Sequence, residues 1–361
     1  MLRHLFNRSK PDVLFLSSSP IDEVWTRTTA LACHASGLRV EVAICADADA
    51  HTQRLLAPYA EQGIRTHDGI SFANAAKINS RIAVTASSGL DRNIFPTRAG
   101  YFIHMPHSLA SLHMIYPAGA FDGYDMLFEA GPQHAAEYAA ITGQNRATPK
   151  PSYAIGYGKL DVLQQVLDLR ATRTSERPLV LIAPSWGADN LLDNCGVALA
   201  KALVAQGCDV VVRPHPLFFL DKAPVLEVLQ TLAQEQAGIH IESPFAGDDA
   251  IFDADILVGD YSGISFEFAA LHRRPVVSVN VGLKIANPEW QVFDLEPVEI
   301  ACRALLGPVV PADVDAIVTA VRSALGRAAT PDAAIASFLH GKPGHCGALA
   351  ATAIKNILTQ N

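Results

Sequence analysis

The chain has 361 residues, half of them hydrophobic and 18% charged, which excludes a disordered or low-complexity protein and makes two domains the default. A formal net charge of −8 argues against a nucleic-acid binder, and no apolar run reaches the roughly 18 residues needed to span a bilayer. Six cysteines without a C-x-x-C pair suit a reducing, cytoplasmic compartment and speak against a zinc site.

The opening MLRHLFNRSK is basic but has no signal-peptide core, so it reads as a short lead-in able at most to touch the inner membrane face peripherally. Asp12–Ser18 then reads as a first strand, followed by a serine-rich turn and a helix over Ile21–Ser36. Strand Arg39–Ala46, helix Ala50–Gln62, short strand Ile64–His67 and strand Arg81–Ser87 continue the alternation. Tyr101–Tyr116 runs from strand into a polar turn and helix, Tyr124–Glu129 is another strand, and Gly131-Pro132 opens a helix to about Thr142. Polar, proline-punctuated Gly143–Pro151 is the linker candidate.

After it the pattern restarts with Ala154–Gly158 and a helix from about Lys159. Pro178–Pro184 is a strand, and helix Asn194–Gln206 leads to Val210-Val211-Val212, which ends in Arg213-Pro214-His215-Pro216. Helix Ala223–Gln236, the segment His240–Glu242, strand Ile256–Val258 and strand Val276–Val279 follow. Helical segments near Pro311–Arg327, Pro331–Leu339 and Gly347–Thr359 close the chain. Strands alternating with helices at this spacing imply parallel sheets. The fold class is α/β, with two doubly wound, Rossmann-like domains facing across a cleft: 1–150, 151–340, and a helix at 341–361 that packs back on the first domain.

Three constellations fall at carboxyl ends of strands, where ligands bind in open α/β sheets. Met105-Pro106-His107-Ser108 and Arg213-Pro214-His215-Pro216 each hold a histidine beside rigid prolines, and imidazole can transfer protons near neutral pH. Gly259-Asp260-Tyr261-Ser262-Gly263 is a turn between strand and helix. Ser262 is the expected N-cap, Glu267 is expected to add charge near the helix start, and the free amides suit a phosphate. Ser185-Trp186 ends another strand and is equally readable as a plain turn. His104 and His113 rank lower, and His4, His34, His51, His67 and His134 read as ordinary core or surface residues. His104-x-x-His107 lacks clustered carboxylates, so no metal is assigned.

At these residues the chain resembles the CDP-glycerol glycerophosphotransferase family. The likeness runs over about Leu179–Val279: Ala183-Pro184-Ser185-Trp186, Arg213-Pro214-His215-Pro216, Asp255–Gly263 and Arg274-Pro275-Val276-Val277. The resemblance implies a GT-B fold and transfer of a polyol phosphate from a CDP-linked donor to a glycan or lipid-linked acceptor. It would make His107 the catalytic base, and His215 the group stabilising charge on the diphosphate or protonating the departing nucleotide. Ser262 and Gly263 would bind phosphate, with Arg213, Ser185, Ser108, Asp260 and Tyr261 lining the site. No tightly bound cofactor is implied, although Mg²⁺ can accompany the donor diphosphate. Three alternatives remain open: a nucleotide-sugar enzyme of the UDP-N-acetylglucosamine 2-epimerase kind, a GT-B glycosyltransferase, and a non-catalytic nucleotide-binding subunit.

Overall fold

A computed structural model describes residues 10–90, 97–143, 150–243, 249–327 and 329–360. The lead-in up to Ser9, with His4, and most of the proposed linker lie outside them. The chain divides into two compact units. One comprises the residues up to Ser108, Tyr116–Gln165 and those from Leu339 on; the other comprises Leu109–Ile115 and Val166–Phe338.

The first unit is built on seven strands: β1 Val13–Ser17, β2 Val40–Ile44, β3 Arg65–His67, β4 Ile82–Thr85, β5 Tyr101–His104, β6 Met126–Glu129 and β7 Ser152–Ala154. They form one sheet in the order β3-β2-β1-β4-β5-β6-β7, parallel throughout. The inner strands are apolar on both faces because helices cover both sides, and every residue of β1 is buried. The sequence reading opened the second domain at residue 151. Instead β7 adds to the edge of β6, and this unit continues through Gln165.

Helix Cys346–Gln360 packs along helix Glu23–Ala35 in the same unit. Their closeness depends on Gly347, where a Cβ would stand 2.6 Å from the Thr28 carbonyl oxygen. The buried Asp161 carboxylate fastens the start of this last helix, accepting from the amides of Gly344 (2.8 Å), Cys346 (3.1 Å) and Gly347 (2.8 Å). A carboxylate at a helix N-terminus satisfies donors that have no intrahelical acceptor.

The second unit contains β8 Leu179–Ile182, β9 Asp209–Val212, β10 Ile239–Ile241, β11 Ile256–Gly259, β12 Val276–Asn280 and β13 Val309–Pro311. Their order is β10-β9-β8-β11-β12-β13, again all parallel. Each sheet reverses its direction of growth once, between β1 and β4 in the first and between β8 and β11 in the second. Such reversals leave a crevice at the carboxyl ends of the flanking strands. Two parallel-sheet α/β units match the expected fold class. Among the described residues no helix is long and apolar enough to cross a membrane.

Candidate functional site

In the six-stranded unit, the switch point gathers the loops after β8 and β11. The Asp260 carboxylate, almost fully buried, accepts from the Ser185 amide at 2.6 Å and the Leu191 amide at 3.1 Å. It thereby fixes the loop that carries Trp186. Burial raises the Asp260 pKa, while the Ser185 and Leu191 amides and nearby Lys284 oppose that shift. Gly259 is needed here because a Cβ would lie 2.7 Å from Ser265 Oγ and 3.2 Å from the Ala183 carbonyl oxygen.

Ser262 is the N-cap of helix Gly263–His272, with extended φ −93° and ψ 135°, but its hydroxyl makes no capping hydrogen bond. The first-turn amides of such a helix have no intrahelical acceptors, so this end can receive an anion. Glu267 does not serve the helix start as the sequence suggested. It is the fifth helical residue and is buried. Tyr261 is covered by the Arg303 guanidinium, 4.6 Å from the ring centre, and Arg303 in turn donates to Asn280 Oδ1 at 2.6 Å.

From β9, His215 caps the short helix Pro216–Leu220, its Nδ1 accepting from the Leu217 amide at 3.3 Å. Its ring lies 6.4 Å from that of Trp186. Burial, reinforced by the positive charge of Lys284, holds the imidazole pKa down at about 4, so His215 is neutral at pH 7. Arg213 points its guanidinium to Glu242 at 3.0 Å, which makes it a strut between β9 and β10. Lys284, absent from the sequence-derived set, sits with its ammonium 4.7 Å from the centre of the Trp186 ring.

The segment Leu109–Ile115, which follows directly on His107 and Ser108, is built into this same unit. Ser111 Oγ donates to Glu299 at 2.6 Å, and His113 Nε2 donates to the Leu295 carbonyl at 3.0 Å. His113 is therefore a structural tie.

In the seven-stranded unit, His107 lies just past the end of β5. Its Nε2 is hydrogen-bonded to the Tyr116 hydroxyl, and Trp25 meets its ring edge-on at 5.5 Å. Tyr157 donates to the His107 carbonyl at 3.0 Å and accepts from Trp25 Nε1 at 2.8 Å, which locks the backbone there. His107 Nδ1 is buried and has no hydrogen-bond partner among the described residues. Burial lowers the His107 pKa, with Asp22 the main opposing influence. Asp22 accepts from the Ser18 and Ser19 amides at 3.0 and 3.2 Å at the end of β1. Ser108 is half-buried next in the chain.

Tyr116 is pushed up to about 12 by burial, against a hydrogen bond with Ser88 after β4. His104, fully buried with Nδ1 2.8 Å from the Tyr138 hydroxyl, is a core residue, and His134 accepts from the Ala130 amide at 3.2 Å. Among the described residues no group of three or more His, Cys, Asp or Glu side chains could hold a metal ion.

Sequence reasoning missed Lys284, Tyr116 and Asp22. The available signals were weak: a lone lysine in Val281–Pro288 after a strand, and a tyrosine nine residues beyond His107. Neither spacing says which side chain it meets.

No protein-family model matches this chain, and no curated protein sequence does. Solved structures do match. A putative UDP-N-acetylglucosamine 2-epimerase from Listeria monocytogenes aligns with a TM-score of 0.65 at 12% identity, covering 98% of both chains. Staphylococcus aureus MnaA with UDP aligns at 0.60 and 12%, covering 97% and 96%. The Neisseria meningitidis UDP-N-acetylglucosamine 2-epimerase bound to UDP-N-acetylglucosamine aligns at 0.56 and 12%, covering 97% and 100%. At such identity the agreement establishes the fold.

The resemblance to CDP-glycerol glycerophosphotransferases is thereby overturned. No model of that family matches, and the solved structures that align over full length include UDP-N-acetylglucosamine 2-epimerases. With it go the CDP-linked donor, the polyol phosphate, the glycan or lipid-linked acceptor and the teichoic-acid context. The physical reason is that Arg213–Pro216 and Gly259–Gly263 lie where any doubly wound sheet turns from strand to helix. Short likeness there reports the turn and says little about the ligand.

Proposed function

We propose that this chain is a nucleotide-sugar enzyme that binds a UDP-linked N-acetylhexosamine and inverts the sugar at C2. The observation that carries the reading is the anion-ready switch point of the six-stranded unit. A helix N-terminus at Ser262-Gly263 stands beside neutral His215 and cationic Lys284, in a chain whose fold agrees from end to end with UDP-N-acetylglucosamine 2-epimerases. On this reading the switch point of the six-stranded unit holds the diphosphate.

Inversion at C2 needs a base to take the carbon-bound proton. As the C1–O bond breaks, its electron pair goes to the diphosphate oxygen and C1=C2 forms. The reverse steps return the proton to the other face. The reading assigns this work to His107, whose burial favours the neutral form, and to Asp22 near it.

One observation favours a second reading, glycosyl transfer. The corner around His107 is built mainly from hydroxyls and an imidazole, and a single imidazole base suits activation of an acceptor hydroxyl better than removal of a carbon-bound proton. Incubation with UDP-N-acetylglucosamine in D₂O, followed by NMR, separates the two. Epimerisation places deuterium at C2 and yields the manno isomer. Transfer or hydrolysis releases UDP without exchange at C2. A chain that neither turns over nor binds UDP refutes both readings.

A further inference from the structure

Most cations of the six-stranded unit that lie near acids are already neutralised. Three arginines line a 230 Å³ cavity at the amino ends of β8 and β11: Arg170, Arg173 and Arg274. Each reaches an aspartate, Arg170 at 2.7 Å (Asp249), Arg173 at 3.0 Å (Asp209) and Arg274 at 4.0 Å (Asp255). That cavity is self-compensated.

Lys284 differs. Among the described residues its ammonium has no hydrogen bond and no carboxylate within 4 Å, and it rests on the face of Trp186. Asp260 and Glu299 attract it from farther away, but both carboxylates are occupied, Asp260 by two amides and Glu299 by Ser111. A half-buried cation without a close counter-charge is costly, and the cation–π contact offsets only part of that cost.

The backbone delivers Lys284 there by construction. The Gly282 amide donates to Asp189 Oδ2 at 2.7 Å, stitching the loop after β12 to the loop after β8. Asp189 is itself held by Asn194 Nδ2 at 2.5 Å. The ammonium is thus presented at the switch point, on the same edge of the sheet as the Ser262 helix terminus.

We infer that Lys284 is the side-chain cation that receives the diphosphate of the bound nucleotide, with Trp186 as the platform that orients it. The inference rests on the nucleotide-sugar reading and adds the residue that recognises the anion. When the C1–O bond breaks, the electron pair moves onto the diphosphate, and the charge that appears there is met by Lys284 and the helix terminus without a proton being transferred.

The test measures binding of UDP, uridine and inorganic pyrophosphate by calorimetry for the wild type, Lys284→Met, Lys284→Arg and, as a surface control, Lys201→Met. Lys284→Met keeps the apolar stem over Trp186. It should weaken UDP about 10- to 100-fold, the usual worth of a hydrogen bond to a charged group. Pyrophosphate binding should be lost, uridine affinity unchanged, and Lys284→Arg should recover most of the UDP affinity. Thermal melts of each variant confirm that it is folded.

If the wild type binds UDP and Lys284→Met binds it equally well, the assignment of Lys284 falls and the nucleotide-sugar reading stands. Equal weakening of UDP and uridine means that the residue only shapes the loop, which also overturns the assignment. If the wild type binds neither UDP nor pyrophosphate, both the inference and the reading beneath it are wrong.

Discussion

Asp260→Asn tests the organisation of the six-stranded unit's switch point directly. The carboxylate accepts two amides, Ser185 at 2.6 Å and Leu191 at 3.1 Å, and all three residues are buried. Asparagine has one oxygen. It keeps one of these bonds and turns its NH₂ toward the other amide, so one hydrogen bond to a charged acceptor is lost and a buried donor is orphaned. Each of those losses is worth about 1–3 kcal/mol, which places the total at about 2–6 kcal/mol. The damage should concentrate in the loop after β8. Amide exchange should accelerate strongly at Ser185 and Leu191 while helix Cys346–Gln360 in the other unit exchanges as before. Urea denaturation of the same variant should show the lower stability in the transition that involves the six-stranded unit. Unchanged protection at both amides, with unchanged stability, would refute the claim that Asp260 holds this loop.

Other expectations follow from the same structure. His215 and His272 are both held neutral with pKa values of about 4, mainly by burial, against an ordinary value of 6.5. The unfolded chain therefore binds more protons than the folded one between pH 6.5 and 4, and stability must fall as pH drops through that window, by at most about 3 kcal/mol per histidine. His272→Gln should be less stable than wild type at pH 7, with the deficit shrinking toward pH 4.5; a constant deficit refutes the assignment. Gly347→Ala should cost about 1–3 kcal/mol in urea, because its Cβ would press on the Thr28 carbonyl and separate two packed helices. On the proposed reading, His107→Ala should lower turnover about 10²–10⁴-fold with UDP affinity intact. Tyr116→Phe should shift the pH–rate profile as well as the rate, because it removes the hydroxyl from His107 Nε2; an unmoved profile separates Tyr116 from the chemistry.

The resemblance that failed and the residues that remain of interest come from the same stretches. Arg213–Pro216 and Gly259–Gly263 were picked out because they end buried strands, and they do end β9 and β11. Position at a strand end was legible because an apolar run broken by Pro, Gly or Ser is a local pattern. The ligand was not, because Arg213 spends its charge on Glu242, a partner 29 residues away that no local pattern announces.

The sequence by itself determined the alternation of strands and helices, hence two parallel α/β sheets, because each inner strand carries its own apolar run and each turn its own breakers. Tertiary structure decided what three-residue strands and single side chains could not announce. β7 and β13 exist only through pairing with β6 and β12. Segment Leu109–Ile115 belongs with the six-stranded unit through Ser111–Glu299, a contact across 188 residues. Lys284 meets Trp186, and Tyr116 meets His107, only after the sheets have brought distant loops together. Periodicity records what a residue requires of its near neighbours along the chain. Where its charge or hydroxyl ends is set by strand order, and strand order is a property of the packed sheet.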